Sequence, residues 1–202
     1  GAKLLVAASP DGKLTPELIT ALAKSRSDIH LPKPRVVTIT QATETGLVYS
    51  LDEIRAISAT CRALGLRLHM DGARFANALV ALETTPAEMT WKRGVDILSF
   101  GGTKNGCWCA EALVLFDLER ARELAFLRKR AAQMFSKSRF VAAQFEEPEV
   151  AQRAAGEQPL AGGDRGRGPV TRKEDGGEFD GGPVGYRDDP VALGGDQRSH
   201  AG

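Results

Sequence analysis

The sequence predicts an α/β fold, a mostly parallel sheet with flanking helices, and three observations carry that prediction. Strand-like runs begin near residues 35, 66 and 96, about thirty residues apart, the length of a strand–helix–strand unit. Helix-start signals fall between them, at Ser50-Leu51-Asp52-Glu53 and at Thr85-Pro86-Ala87-Glu88. The second and third runs break into short polar and glycine-rich stretches, where open α/β sheets place their ligands.

Taken in order, Thr15-Pro16-Glu17 starts a helix that runs to about Lys24, with a cap residue before a proline at the first helical position. Arg35 to Thr40 reads as a strand by its β-branched content, and Gln41 to Tyr49 as the loop at its end. Ser50 and Glu53 form a capping box; Leu51, Ile54, Ile57, Cys61 and Leu64 then fall at helical spacing until Gly65 stops the helix. The strand Leu66 to Met70 follows, then a helical run from Arg74 to Leu82 and a strand from Asp96 to Phe100. Ala112 to Phe116 lies too close to that strand for a helical crossover and is expected to pair antiparallel. Asp117 is read as the cap of one long helix through about Phe145.

Composition narrows the function classes. Net charge is +1, so nothing favours nucleic acid or an acidic membrane surface, and no apolar run is long enough to span a bilayer. Three cysteines (Cys61, Cys107, Cys109) are an odd count without disulfide or zinc spacing, which points to a reducing cytoplasm and to no metal site. The chain begins without Met and without a secretory pattern, so an upstream part is expected to be missing.

The text changes character after Glu146. Residues 147–202 hold no isoleucine or methionine, two leucines and one phenylalanine, among glycine pairs and mixed charges. Such a segment cannot bury enough apolar surface to offset its chain entropy. Two domains are therefore expected: 1–146, the α/β part, and 147–202, a Gly/Arg/Asp-rich tail. The tail reads as a natural disordered segment or as frameshifted text; the uncapped helix end at Phe145 favours the frameshift.

Two stretches carry the chemistry. Ser99-Phe100-Gly101-Gly102-Thr103-Lys104-Asn105-Gly106 sets one lysine among glycines, which allow a tight turn and a close approach to a bound group. A lysine at a strand exit serves as a phosphate clamp, an exposed charge or an amine that forms a Schiff base. His69-Met70-Asp71-Gly72-Ala73-Arg74 ends the preceding strand in an acid. An acid and a lysine at adjacent strand ends are the pair that pyridoxal phosphate chemistry needs: one holds the ring nitrogen protonated, the other takes the aldehyde. Asp71 also reads as a helix N-cap, and the two roles are compatible. His69 shares strand parity with Asp71 and can face the same side, as an active or as a packed histidine. Thr43 and Glu44 line the pocket or form an ordinary polar turn; Ser99 and Thr103 bond a phosphate or the backbone. Cys107-Trp108-Cys109 is read as ordinary packing.

These two stretches, together with Lys13-Leu14-Thr15-Pro16, Gln41-Ala42-Thr43-Glu44-Thr45-Gly46 and Phe75-Ala76-Asn77-Ala78, resemble the threonine aldolase family, in the β-eliminating lyase group of pyridoxal phosphate enzymes. The resemblance spans roughly residues 1 to 145 and is nearest to the bacterial low-specificity branch. It implies part of an aspartate aminotransferase-like large domain, pyridoxal 5'-phosphate as cofactor, and a homo-oligomer for the full-length family. By it, Lys104 forms the Schiff base, partly buried so that it sheds its proton, Asp71 pairs with the pyridinium nitrogen, and Arg74 contacts the cofactor near its phenolic oxygen. The implied reaction is retro-aldol cleavage of L-threonine or L-allo-threonine to glycine and acetaldehyde. Another β-eliminating lyase, an aminotransferase, or a non-catalytic fragment are the alternatives. The resemblance places the phosphate-cradling turn upstream of Gly1 and the carboxylate-binding arginine in a C-terminal domain, so the chain alone is expected to be impaired.

Overall fold

Proline at the first helical position, a threonine or serine cap and β-branched runs are local signals, and they place most of the elements. The computed structural model describes residues 2–26, 28–134 and 136–146. Helix α1 (Pro16–Lys24) starts where the Thr15 hydroxyl accepts from Leu18 N. Helix α2 (Leu51–Ala63) starts in the expected capping box: Ser50 Oγ accepts from Glu53 N at 3.2 Å and Glu53 Oε2 from Ser50 N at 2.7 Å. Gly65, at φ 68, turns the chain into the next strand in a conformation that costs a glycine little. Helices α3 (Phe75–Leu82) and α4 (Pro86–Met89) follow the second strand.

Four strands form one sheet in the order β1 (Val36–Thr40), β2 (Arg67–Gly72), β3 (Ile97–Gly101), β4 (Glu111–Leu115). The pairs β1–β2 and β2–β3 are parallel and β3–β4 is antiparallel, as the spacing of the runs predicts. Register sets Thr40 beside Asp71 and Asp71 beside Ser99. Two right-handed crossovers stepping the same way along a sheet leave their helices on one face, and the core forms there. Val37 and Ile39 of β1, Leu68 and Met70 of β2 and Leu98 and Phe100 of β3 pack with Ile54, Ile57 and Cys61 of α2 and with Phe75 and Leu79 of α3. Burying each such side chain contributes about 1.5–3 kcal/mol. The alternate residues (Val36, Thr38, Arg67, His69, Asp71, Ile97, Ser99) point to the other face and are exposed or half-buried.

One expected element differs. In place of a long helix after Asp117, the chain forms α5 (Leu118–Ala121), α6 (Leu124–Arg130) and α7 (Ser138–Ala142), followed by a 3-10 turn over Ala143–Glu146. Ala132 takes a left-handed φ of 56, and none of these helices buries a residue. Leu118 and Phe126 stay in solvent, so no tertiary contact rewards helical continuity there. The expected tail, 147–202, lies outside the described residues.

Candidate functional site

Asp71, Arg74, Glu44 and Lys104 lie at or just past the C-terminal ends of the parallel strands, where chain direction alone brings three loops together. Asp71 is the next-to-last residue of β2 and half-buried. Its Oδ1 accepts from Ala73 N at 3.0 Å, which fixes the carboxylate over its own turn. It is not the cap of α3; that position falls to Arg74, which makes no side-chain cap bond. The second carboxylate oxygen makes no hydrogen bond among the described residues.

Arg74 and Glu44 form a two-pronged ion pair, Nη1–Oε1 at 3.1 Å and Nη2–Oε2 at 2.8 Å, joining the loop after β1 to the turn after β2. This pairing holds Glu44 below the usual carboxylate range, and Lys104 adds a smaller lowering. It raises the Arg74 guanidinium, with Asp71 adding to the effect. Asp71, Arg74, Glu44 and Lys104 thus sit within one another's electrostatic reach in sequence, each coupled to the next. Of the two loop candidates, Glu44 reaches the site. Thr43 is buried and its hydroxyl serves the loop, accepting from Leu47 N and bonding Thr45 Oγ1.

Lys104 lies in a 3-10 turn over Thr103–Asn105. The expected partial burial is not found: its side chain is exposed. The reason is the turn's anchor, since Asn105 faces inward and its Nδ2 donates to Gly101 O at 2.6 Å, which turns the lysine out. Lys104 forms no ion pair among the described residues. The glycines beside it are required by the chain's own packing. A Cβ on Gly101 would lie 2.8 Å from Ala73 Cα, and one on Gly102 would strike the Ala110 carbonyl oxygen and lie 2.7 Å from a Phe145 ring carbon. Thr103 Oγ1 donates to Glu111 Oε1 at 2.6 Å, so its hydroxyl is engaged.

Two features of the site go beyond what the sequence signals. Gln41 is fully buried: its Nε2 donates to Tyr49 O at 2.9 Å and its Oε1 accepts from Tyr49 N at 2.9 Å, closing the loop that carries Glu44. Its own backbone N donates to Asp71 O at 2.8 Å, tying that loop to the acid's strand. A glutamine at a strand end reads as a surface residue, so composition alone hides this clamp. His69, whose face parity does predict its side, bonds Ser99 Oγ through Nε2 at 2.9 Å and Thr38 Oγ1 through Nδ1 at 3.3 Å. Burial lowers its pKa more than the neighbouring Asp71 raises it. Cys107 is buried and Cys109 exposed, and the backbone N–H groups of Trp108 and Cys109 both donate to Gln144 Oε1. A shallow depression of about 430 Å³ along α1, lined by Pro16, Glu17, Thr20, Ala21 and Lys24, includes none of the predicted site residues.

The donor set suits pyridoxal phosphate. A carboxylate with an unbonded oxygen can hold a ring N–H, an exposed amine can meet an aldehyde, and three guanidinium N–H groups remain on Arg74 beyond the two given to Glu44.

Comparison with known proteins identifies the family. The family model for Beta-eliminating lyase matches residues 1–188. The low specificity L-threonine aldolase of Pseudomonas sp. (strain NCIMB 10558) is 59% identical over 143 residues, covering 71% of this chain and 41% of that protein. The protein of the same name from Pseudomonas aeruginosa is 57% identical over the same length and shares. The chain thus spans 41% of the length of these relatives. Among solved structures, Leishmania major threonine aldolase superposes with a TM-score of 0.67 at 30% identity, over 76% of this chain and 46% of that one. The chain belongs to the β-eliminating lyase family, and its α/β sheet is that of the threonine aldolases.

Proposed function

We propose that residues 1–146 carry part of the active site of a pyridoxal phosphate-dependent carbon–carbon lyase. The reaction is retro-aldol cleavage of a β-hydroxy-α-amino acid, L-threonine or L-allo-threonine, to glycine and acetaldehyde. The observation that carries the reading is the continuous cluster Asp71–Arg74–Glu44–Lys104 at one edge of the sheet. The names of the pseudomonad relatives favour aldol cleavage over the transaminase and other lyase chemistries of similar sites.

When bound, pyridoxal 5'-phosphate supplies an aldehyde for an amine and a protonated ring that accepts an electron pair. The chain's residues supply the rest. Asp71 holds the proton at the ring nitrogen through a charge-assisted hydrogen bond. Lys104, the middle residue of its 3-10 turn, presents an exposed primary amine. Arg74 offers its remaining N–H donors to an anionic oxygen, while Glu44 keeps the guanidinium plane fixed. For the whole protein a homo-oligomer is inferred, as the resemblance to the threonine aldolases implies. The setting that fits this chemistry is the cytoplasm.

The test is borohydride reduction after incubation with pyridoxal phosphate, followed by peptide mapping. The pyridoxyl group is expected on the peptide that contains Lys104. A label confined to another lysine overturns the assignment.

A further inference from the structure

His69 lies two residues before Asp71 on the same strand, and side chains two apart on a strand share a face, about 7 Å from one another. Its ring spans three strands. On β1, Thr38 is its registered neighbour and bonds Nδ1; on β3, Ser99, the registered neighbour of Asp71, bonds Nε2. Both partners are hydroxyls, which donate or accept, so the string satisfies the ring in either charge state. Protonation therefore breaks no bond in it; what protonation adds is a positive charge beside Asp71. We propose that His69 is a positioning residue that tunes Asp71: its neutral ring adds no charge beside the Asp71 carboxylate, and its protonated ring weakens Asp71's hold on a cationic ligand group. The inference rests on the proposed reading of Asp71 as the partner of a pyridinium.

The surroundings of the ring are simple enough for the effect to be assigned. The free-face residues of β1 (Val36, Thr38, Thr40) and of β3 (Ile97, Ser99, Gly101) carry no charge. On β2 itself the charged residues of that face are Arg67, which is paired with Asp96 at 2.9 Å, and Asp71. The Arg74–Glu44 pair and Lys104 lie past the strand ends. Of all these groups Asp71 is the one whose charge registers at the imidazole. Burial keeps the ring neutral at pH 7 and opens its titration only below the ordinary histidine range.

Two measurements on the full chain test this. The first needs no cofactor: His69 is followed by NMR titration of its ring signals in the wild type and in Asp71→Asn. By reciprocity, removing the anion should move the His69 midpoint to lower pH. An unchanged midpoint overturns the coupling. The second is pyridoxal phosphate affinity, from its absorbance, between pH 8 and pH 5 in the wild type and His69→Gln. The wild type should lose about three- to tenfold in affinity as His69 protonates, by the size of a charge interaction at this separation. His69→Gln should lack that step, because glutamine keeps hydrogen bonding without the charge. The same acid loss in His69→Gln overturns the proposal. If the wild type does not bind pyridoxal phosphate at pH 8, the borohydride label judges the proposed function, and the NMR midpoint still decides the coupling.

Discussion

At the scale of single residues, the site is defined by how each charge is held. Asp71 is fixed by one backbone N–H and keeps an oxygen for a ligand. Replacing it with asparagine preserves shape and removes the anion, so the ring proton is no longer stabilised. Loss of one charge-assisted bond costs about 1.5–3 kcal/mol, which is roughly a ten- to hundredfold loss in rate. Asp71→Asn, placed in a catalytically active full-length protein, should bind cofactor and release glycine slowly at saturating threonine. Turnover equal to that of the parent would refute the role of Asp71. Lys104 illustrates a different point, since its side chain is exposed while its turn is anchored on both sides, by Asn105 to Gly101 O and by Thr103 to Glu111.

At the scale of elements, the loop from Gln41 to Tyr49 decides whether Glu44 meets Arg74. That loop is closed by one buried amide, which pairs with both the N–H and the C=O of Tyr49. Gln41→Leu keeps the volume and strands two buried backbone groups. Each unsatisfied group costs about 1–3 kcal/mol, so the variant should lose roughly 2–6 kcal/mol of stability. Urea unfolding measures this, and a loss below about 1 kcal/mol would show that water replaces the amide. The same variant should free Glu44 from Arg74, visible as an upward shift of the Glu44 carboxyl titration by NMR.

At the scale of the whole molecule, pH should act on stability through His69. Its folded pKa lies below the ordinary value of 6.5, chiefly because burial disfavours the charged ring. The unfolded chain therefore takes the proton first as pH falls. Stability is full above about pH 6.5 and declines as pH drops toward the folded value. Glu44, lowered by its hydrogen bond to Arg74, acts in a lower window: its contribution is present above 4.5 and is lost as pH falls through its folded value. The urea midpoint should thus fall between pH 7 and pH 5 in the wild type and fall less in His69→Gln. An equal fall in both would assign the acid sensitivity to other groups.

Local physics made much of this molecule legible in its sequence. Capping residues, the proline at the first helical position and β-branched runs act within a few residues, so α1, α2 and the four strands follow from them, as does the antiparallel turn of β4. The placement of Asp71 and Lys104 was legible for the same reason: one lies at the end of β2 and the other three residues past β3, and parallel strands put their ends on one edge. What the tertiary structure decided is every contact between residues that only register brings together. His69 meets Thr38 and Ser99, Glu44 meets Arg74, and Gln41 N meets Asp71 O, each across about thirty residues of chain. Strand parity names the face a side chain takes but not the partner that waits there. The broken helices after Asp117 show the converse: a capping residue promises one long helix, and without a surface to bury Leu118 and Phe126 the chain does not form it. Propensity proposes an element, and burial against the rest of the fold settles whether it persists.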